Sequence, residues 1–299
     1  ERLNNEDVEL MHQILLFINR MYVNIKERNP DQAKLFFAEL EEKGLSGKVI
    51  KALNLTSDEI KTQAHAFQMH RLRPFYEETQ VPFDESDPEH LKLLESLWIA
   101  INPKTTFPGV SGEGYKAMGW QGAKPSTDFR AMGILCLKQL IFYAETYSVR
   151  LKEKITRMHE RDVEFHYPVC CAGVHITQVM IDVFGIKEED TLGPTNVHPM
   201  LLHPQGFDIC YCILFEFFDM LWEKLEAKYM QFNQVKEALK QHLNSILETH
   251  SMLSLTSFHS LLLSQQATRQ LSIPKEDEVQ KVTSIDRDPK VLERFLRSQ

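Results

Sequence analysis

The stretch GWQGAKPSTDFRAMG, residues 119–133, is the most informative part of this sequence. Three glycines give its backbone unusual freedom, and Pro125 stiffens the segment that leads into a long apolar run. Ser126, Thr127 and Asp128 belong to the residue types that cap helix N-termini. The pattern therefore predicts a loop that leads directly into a long apolar helix.

Arg130 would then lie in the first turn of this helix, where the partial positive charge of the helix dipole disfavours a cation. Two roles are open for it. In a structural role, the guanidinium is buried or half-buried and pairs with Asp128 or with nearby carbonyl groups. In a functional role, it stabilises the transition-state charge of a phosphoryl transfer, as an arginine finger does for a GTPase. The residues alone favour the structural role, because ion pairs of this type are common structural devices.

The composition is that of a globular protein with one or two domains. The chain has 299 residues, of which 43% are hydrophobic and 25% are charged. A formal net charge of −8 gives no basic surface for nucleic acid, so we expect no nucleic-acid partner. No apolar run reaches the roughly 20 residues of a membrane span.

The location that the sequence predicts is cytoplasmic. Five cysteines form no disulfide framework of the secreted type, which indicates reduced thiols. No signal peptide opens the chain. Because the sequence begins at Glu1 without a methionine, we expect it to be a piece of a longer protein.

Helical periodicity dominates the sequence, and the alternation typical of strands is absent, which predicts an all-α fold. We expect five apolar residues near the start to form one buried helical stripe: Leu10, Ile14, Phe17, Met21 and Ile25. Asn29-Pro30-Asp31 predicts the end of this helix and the start of the next. Asp87-Pro88 places an N-cap residue before a proline at the first helical position, and predicts another helix start.

Three segments are predicted along the chain. Residues 1–75 carry amphipathic helices with short turns, as in an armadillo-like helical repeat. Residues 76–265 hold the 119–133 loop and the most apolar helices, and form a multi-helix domain on which the repeat-like piece packs. Residues 266–299 are charged and sparse in apolar residues, and are predicted to be a helix or a tail.

Three other motifs match functional patterns only in part. The glycine-rich residues 109–114 lack the Lys-Ser/Thr pair of a phosphate-binding loop and indicate a surface loop. Four histidines between residues 166 and 203 lack the spacing of metal ligands, so no metal site is predicted. Residues 256–260 bring Ser and His together in sequence, but the spacing favours an amphipathic helix over a nucleophilic site.

Residues 115–135 closely resemble the signature of the ELMO domain, roughly Trp-Lys-x-x-Gly-Phe-Gln-Gly followed by Pro-x-Thr-Asp-Phe-Arg-Gly-Met-Gly. Three positions depart from it, with Tyr115 for Trp, Trp120 for Phe and Ala131 for Gly, and the first two keep an aromatic anchor. Weaker collinear matches extend the resemblance over most of residues 1–265, so that 76–265 is identified as the ELMO domain. The resemblance implies that Arg130 is the candidate catalytic residue and that the binding or motif residues are Gly119, Trp120, Gln121, Asp128 and Phe129.

The ELMO-domain family works on small GTPases, and the resemblance implies one of two functions. In the scaffold branch, which is not enzymatic, the protein pairs with a DOCK-type exchange factor to activate Rac and remodel actin in phagocytosis and cell motility. In the shorter branch, the protein is a GTPase-activating protein for Arf-family GTPases and relies on the arginine at the position of Arg130, which animal scaffolds lack.

The chain combines signals of both branches. The armadillo-like start and the segment His198-Pro199-Met200 resemble the scaffold branch, which is the leading interpretation. The intact Asp128-Phe129-Arg130 resembles the activating branch, which is the alternative. Either function implies a small GTPase of the Rac or Arf family as partner, no cofactor, and recruitment to membranes through partners. A third class stays open, a helical interaction module with no GTPase partner.

Overall fold

The computed structural model describes residues 5–55, 57–187 and 197–263, and every regular element in these ranges is a helix. The predicted all-α class is therefore confirmed. The α-helices are α1 (Asn5–Arg28), α2 (Pro30–Glu42), α3 (Leu45–Leu53), α4 (Asp58–Thr79), α5 (Pro88–Ile101), α6 (Gly114–Ala117), α7 (Gly133–Thr146), α8 (Ser148–Glu160), α9 (Val169–Val183), α10 (Pro199–Leu202), α11 (Gly206–Lys224), α12 (Phe232–Thr249) and α13 (Leu255–Leu263). Short 3-10 helices cover Pro125–Thr127, Phe129–Ala131 and Tyr229–Gln231. Within the described ranges, no helix combines the length and the apolar character that crossing a bilayer requires.

Two helix starts form as their sequences predict. The side chain of Asn29 accepts hydrogen bonds from two backbone N–H groups in the first turn of α2, each at 3.2 Å, and Pro30 is the first residue of that helix. Asp87 accepts one such bond at 2.8 Å ahead of Pro88, the first residue of α5. A capping side chain of this kind contributes about 1 kcal/mol. Each proline lies where a backbone N–H would have no helical partner.

The described chain forms two compact units, each with its own core. The first takes in residues 5–55, 57–77, 184–187, 197–207 and 251–253. A cluster of buried apolar residues in this unit comes from α1, α3, α4 and the segment around α10: Leu15, Ile18, Leu45, Val49, Ala52, Leu53, Ile60, Ala64, Phe67, Val197 and Leu202. The armadillo-like character and the division at 75/76 and 265/266 stay predictions, and residues 266–299 lie outside the described ranges.

The predicted buried stripe of α1 is wrong. Leu10, Ile14, Phe17 and Met21 are exposed, while Leu15, Ile18 and Tyr22 on the neighbouring face are buried. Both faces of the helix are apolar, so helical periodicity identifies the helix without identifying the face that meets the core.

The second unit takes in residues 78–183, 208–250 and 254–263, and its core is rich in aromatic side chains. The largest fully buried side chains of this unit are Trp222, Tyr115, Tyr143, Tyr211, Phe129, Phe215, Phe217, Phe218 and Phe258. Ten of the 14 residues of α7 are buried, because this helix packs against α5, α8 and α9. The helix that follows the 119–133 loop is thus the central element of the unit.

A charge cluster links α8 to α11 within the second unit. Its cations are Lys154, Arg157 and Arg161, and its carboxylates are Glu216, Asp219 and Glu223. The Lys154 Nζ atom lies 3.0 Å from Asp219 Oδ2, and both side chains are almost completely buried. Arg157 Nη2 lies 2.6 Å from the same oxygen, and Tyr167 donates its hydroxyl to Asp219 Oδ1 at 2.8 Å. Each buried charge has an opposite charge within hydrogen-bond distance, which is the condition for burying it.

Candidate functional site

The predicted helix start at Ser126–Asp128 is wrong. The segment forms two successive 3-10 turns, and α7 begins only at Gly133, after Met132, whose side chain makes no capping bond. Arg130 therefore lies in the second 3-10 turn, ahead of the apolar helix rather than in its first turn. The helix-dipole conflict that the sequence predicted for Arg130 does not arise.

Two glycines fix the ends of this loop. Gly119 has φ +87°, and a Cβ atom there would lie 2.3 Å from the backbone nitrogen of Val169 at the start of α9. Gly133 has φ +51°, and its Cβ would lie 2.5–2.7 Å from the carbonyl oxygens of Glu78, Thr79 and Val81. Any side chain at either position would clash with backbone and also adopt a disfavoured conformation. The loop is thus held against fixed backbone at both ends.

Two buried aromatic side chains of the motif hold the loop in place. Trp120 and Phe129 are buried, with 3% and 1% of their surface exposed. Their rings meet edge to face, with centroids 5.1 Å apart, and Phe129 meets Phe83 in the same way at 5.4 Å. Aromatic pairs in this geometry contribute about 0.5–1.5 kcal/mol beyond the area they bury. These side chains hold the loop in place and do not themselves form an exposed binding surface.

Asp128 ties the loop to its surroundings. Its Oδ2 atom accepts a hydrogen bond from the backbone N–H of Gln121 at 3.1 Å and one from the Cys171 thiol at 3.5 Å. Burial, and then the nearby Asp128 carboxylate, raise the pKa of the Cys171 thiol, so this cysteine stays protonated. Asp128 makes no ion pair with Arg130 in the part of the chain that the structure describes.

Arg130 itself is exposed. Among the described residues, nothing forms a hydrogen bond or an ion pair with its guanidinium. It lines a cleft of about 520 Å³ whose walls also include Gln80, Phe83, Thr127 and Gly133. A guanidinium in this position presents a planar set of five N–H donors suited to the oxygens of a phosphate or carboxylate.

Glu85 also lines the cleft and bonds to two other residues of its wall. Its Oε1 atom lies 2.8 Å from Lys124 Nζ and accepts a hydrogen bond from the Ser126 hydroxyl at 2.9 Å. These hydrogen bonds, first from Lys124 and then from Ser126, hold the pKa of Glu85 below its ordinary value. Lys124 is thus neutralised by a partner, whereas Arg130 is not. Sequence reasoning missed Glu85, because its contacts lie about 40 residues away along the chain.

Within the described part of the chain, the remaining motifs bring together no second group of reactive side chains. Among the described residues, no group of three or more His, Cys, Asp or Glu side chains converges as metal ligands would. Residues 255–263 form the predicted helix α13, in which Phe258 and Leu262 are buried. The 109–114 loop is tied down by Tyr115, whose hydroxyl donates to the carbonyl of Gly109 at 2.5 Å.

Comparison with known proteins places the loop inside a known protein domain. Residues 74–236 match the family model described as the ELMO/CED-12 family. The chain is 28% identical to the Ankyrin repeat and ELMO domain-containing protein D of Dictyostelium discoideum, over 78% of this chain and 18% of that protein. It is 28% identical to ELMO domain-containing protein A of the same organism, over 71% of this chain and 24% of that protein. With ELMO domain-containing protein 2 of Mus musculus it shares 27% identity over 56% of each chain. In each case the match covers less than two thirds of the relative's length.

Proposed function

The chain belongs to the ELMO/CED-12 family, and from this premise we propose that it regulates a small GTPase through the surface around Arg130. More specifically, we propose that the chain accelerates GTP hydrolysis by an Arf-family GTPase. The observation that supports it is the exposed, unpaired guanidinium of Arg130 on the wall of the 520 Å³ cleft. A purely structural arginine in this loop would be paired within the fold.

Arg130 would act as an arginine finger supplied to the GTPase. Its guanidinium would donate to the phosphate oxygens on which negative charge develops as the bond to the γ-phosphoryl group breaks, and such a finger is worth roughly 10³–10⁵ in rate. The two 3-10 turns, pinned at Gly119 and Gly133, would hold the arginine in place before the GTPase arrives. A group fixed in this way needs little reorganisation during the reaction.

The test is phosphate release by a panel of Arf and Arf-like GTPases loaded with GTP, with and without this chain. We expect acceleration of at least one of them. Arg130→Lys should remove most of it, because lysine cannot make the bidentate contact. The matched control is Arg28→Lys, which changes an exposed arginine of the first unit. No acceleration by the wild-type chain, or full acceleration by Arg130→Lys, would overturn the proposal.

A second candidate is the scaffold function with a DOCK-type exchange factor, directed at Rac and the actin cytoskeleton in phagocytosis and cell motility. It is supported by the similarity to ELMO domain-containing protein A, which spans 71% of the chain and so more than residues 74–236. In this function the chain is an adaptor, located in the cytoplasm and recruited to membranes by its partners.

A binding assay separates the two candidates. Immobilised chain should retain a purified DOCK-type exchange factor if the scaffold function holds, and Arg130→Ala should retain it equally well. If the chain binds no such factor and its acceleration of GTP hydrolysis depends on Arg130, only the activating function remains.

A further inference from the structure

The outer face of α1 in the first unit carries an exposed apolar stripe. It consists of Leu10 (61% exposed), Ile14 (42%), Phe17 (64%) and Met21 (37%), and is called the α1 stripe below. At about 100° per residue, these side chains lie within about 60° of one another around the helix. Together with the neighbouring buried face, they make an apolar arc of about 180°, wider than the roughly 100° that one core contact needs. The described residues thus leave the α1 stripe largely uncovered.

We propose that the α1 stripe docks a second copy of this chain in an antiparallel helix pair. Its residues are spaced by four, three and four positions, which is the spacing of a short coiled-coil seam. In an antiparallel pair, Leu10 faces Met21 of the partner subunit and Ile14 faces Phe17 of the partner subunit. Each copy then offers the same surface to the other, which is the requirement for a closed two-fold dimer.

The charges beside the α1 stripe favour this orientation. Glu9 and Arg20 lie about 20° apart on the same flank of the helix. An antiparallel pair brings Glu9 near Arg20 of the partner subunit at both ends of the contact, whereas a parallel pair would oppose like charges. Within the described residues Arg20 makes no ion pair, and Glu9 contacts Gln13 and His12 of its own helix. The flank carries an acidic as well as a basic group. Helices that lie on a membrane surface carry predominantly basic groups on their polar face, which argues against a membrane as the occupant.

The size of the α1 stripe predicts a weak dimer. Four side chains on one helix cover less than the roughly 800 Å² per partner of a stable interface. The dissociation constant should therefore lie in the micromolar range or above.

Sedimentation equilibrium of the 299-residue chain tests the dimer. The average mass should rise from monomer toward dimer as the concentration increases. Phe17→Glu, which adds a charge to the centre of the α1 stripe, should raise the dissociation constant at least about tenfold. Its matched control is Leu35→Glu on α2, an equally exposed apolar residue outside the stripe (64%), which should change nothing. Because both positions are exposed, both variants should keep the wild-type circular dichroism.

A charge exchange tests the orientation. Glu9→Arg and Arg20→Glu should each weaken the dimer, and the double variant should restore it. A chain that stays monomeric at all concentrations, or equal effects of Phe17→Glu and Leu35→Glu, would overturn the proposal. A dimer that Phe17→Glu dissociates but the double charge exchange does not restore would overturn the antiparallel arrangement. Binding of a different protein by a monomeric chain, lost in Phe17→Glu, would assign the stripe to that protein and overturn the second copy as its occupant.

Discussion

Two regions of the second unit each contain an arginine, which is paired with carboxylates in one region and has no described partner in the other. Between α8 and α11, Arg157 lies 2.6 Å from Asp219 in a cluster where every buried charge is compensated. In the 119–133 loop, Arg130 is exposed, and no described residue pairs with its guanidinium. Arg157 stabilises the fold through its ion pair with Asp219. The 119–133 loop, by contrast, is held by glycines, aromatic rings and Asp128. The fold does not use Arg130, and this arginine is therefore available to a ligand.

Loss of the buried carboxylate between α8 and α11 should destabilise the protein most. Asp219→Ala removes the counter-charge of Lys154 and Arg157, and should lower the free energy of unfolding by about 3–5 kcal/mol, because it leaves buried cations uncompensated. Urea denaturation measures the loss. The control is Asp182→Ala, which breaks a surface pair with Lys240 at 3.4 Å and should cost at most about 1 kcal/mol. Equal losses in the two variants would contradict the importance of burial.

A smaller loss is expected where the loop requires a glycine. Gly133→Ala forces a side chain into a left-handed conformation and against three carbonyl oxygens, and should cost about 2–4 kcal/mol. Gly122→Ala is the control within the same motif, since its Cβ would meet only the Lys124 nitrogen, at an ordinary 3.8 Å. The unfolding midpoint in urea distinguishes the two. A Gly133→Ala protein as stable as Gly122→Ala would show that the loop is not pinned at this end.

Acid should destabilise the first unit through two histidines whose pKa is lowered by burial. Burial, with a contribution from the nearby His65, lowers the pKa of His198 to about 4. This value lies below the roughly 6.5 of an unfolded histidine, so the stability is fully present above about pH 6.5 and is lost as the pH falls toward 4. We expect a loss of about 1 kcal/mol for this group between pH 7 and 5.5. Burial acts on His70 in the same direction.

Urea titrations at pH 7 and pH 5.5 measure this loss, and His198→Gln should reduce it. The exposed His250→Gln serves as the control and should leave it unchanged. If the wild-type free energy of unfolding is the same at both pH values, the inferred neutrality of His198 is wrong.

Removing the Arg130 side chain should barely affect stability. Arg130→Ala should change the free energy of unfolding by no more than about 0.5 kcal/mol, since no described contact is lost. The measurement is the same urea titration, run beside Asp219→Ala. A loss approaching that of Asp219→Ala would identify Arg130 as a structural residue and remove the main support for the activating function.

The sequence predicted the features that depend on neighbours along the chain. Asn29 and Asp87 cap α2 and α5 because a cap needs only the next few residues and a following proline. The all-α class follows from the same local periodicity. The ELMO signature also located the 119–133 loop as the distinctive part of the chain, without determining its conformation.

The wrong predictions concern partners that are distant along the chain. Which apolar face of α1 is buried depends on α3 and α4, and the local pattern contains no information about them. Asp128 was predicted to cap a helix or pair with Arg130, but it binds Gln121 and Cys171 instead. Glu85 could not be assigned to the cleft, because Ser126 lies 41 positions away.

The edge-to-face contact of Trp120 with Phe129 also gives the loop an optical reporter. The indole is buried and its ring centroid lies 5.1 Å from a residue that directly precedes Arg130. Its emission should therefore respond when the second 3-10 turn moves. In a Trp98→Phe and Trp222→Phe double variant, the emission of Trp120 would test whether the turn stays fixed while a GTPase binds at the cleft, independently of whether GTP is hydrolysed, and a preorganised Arg130 predicts little change.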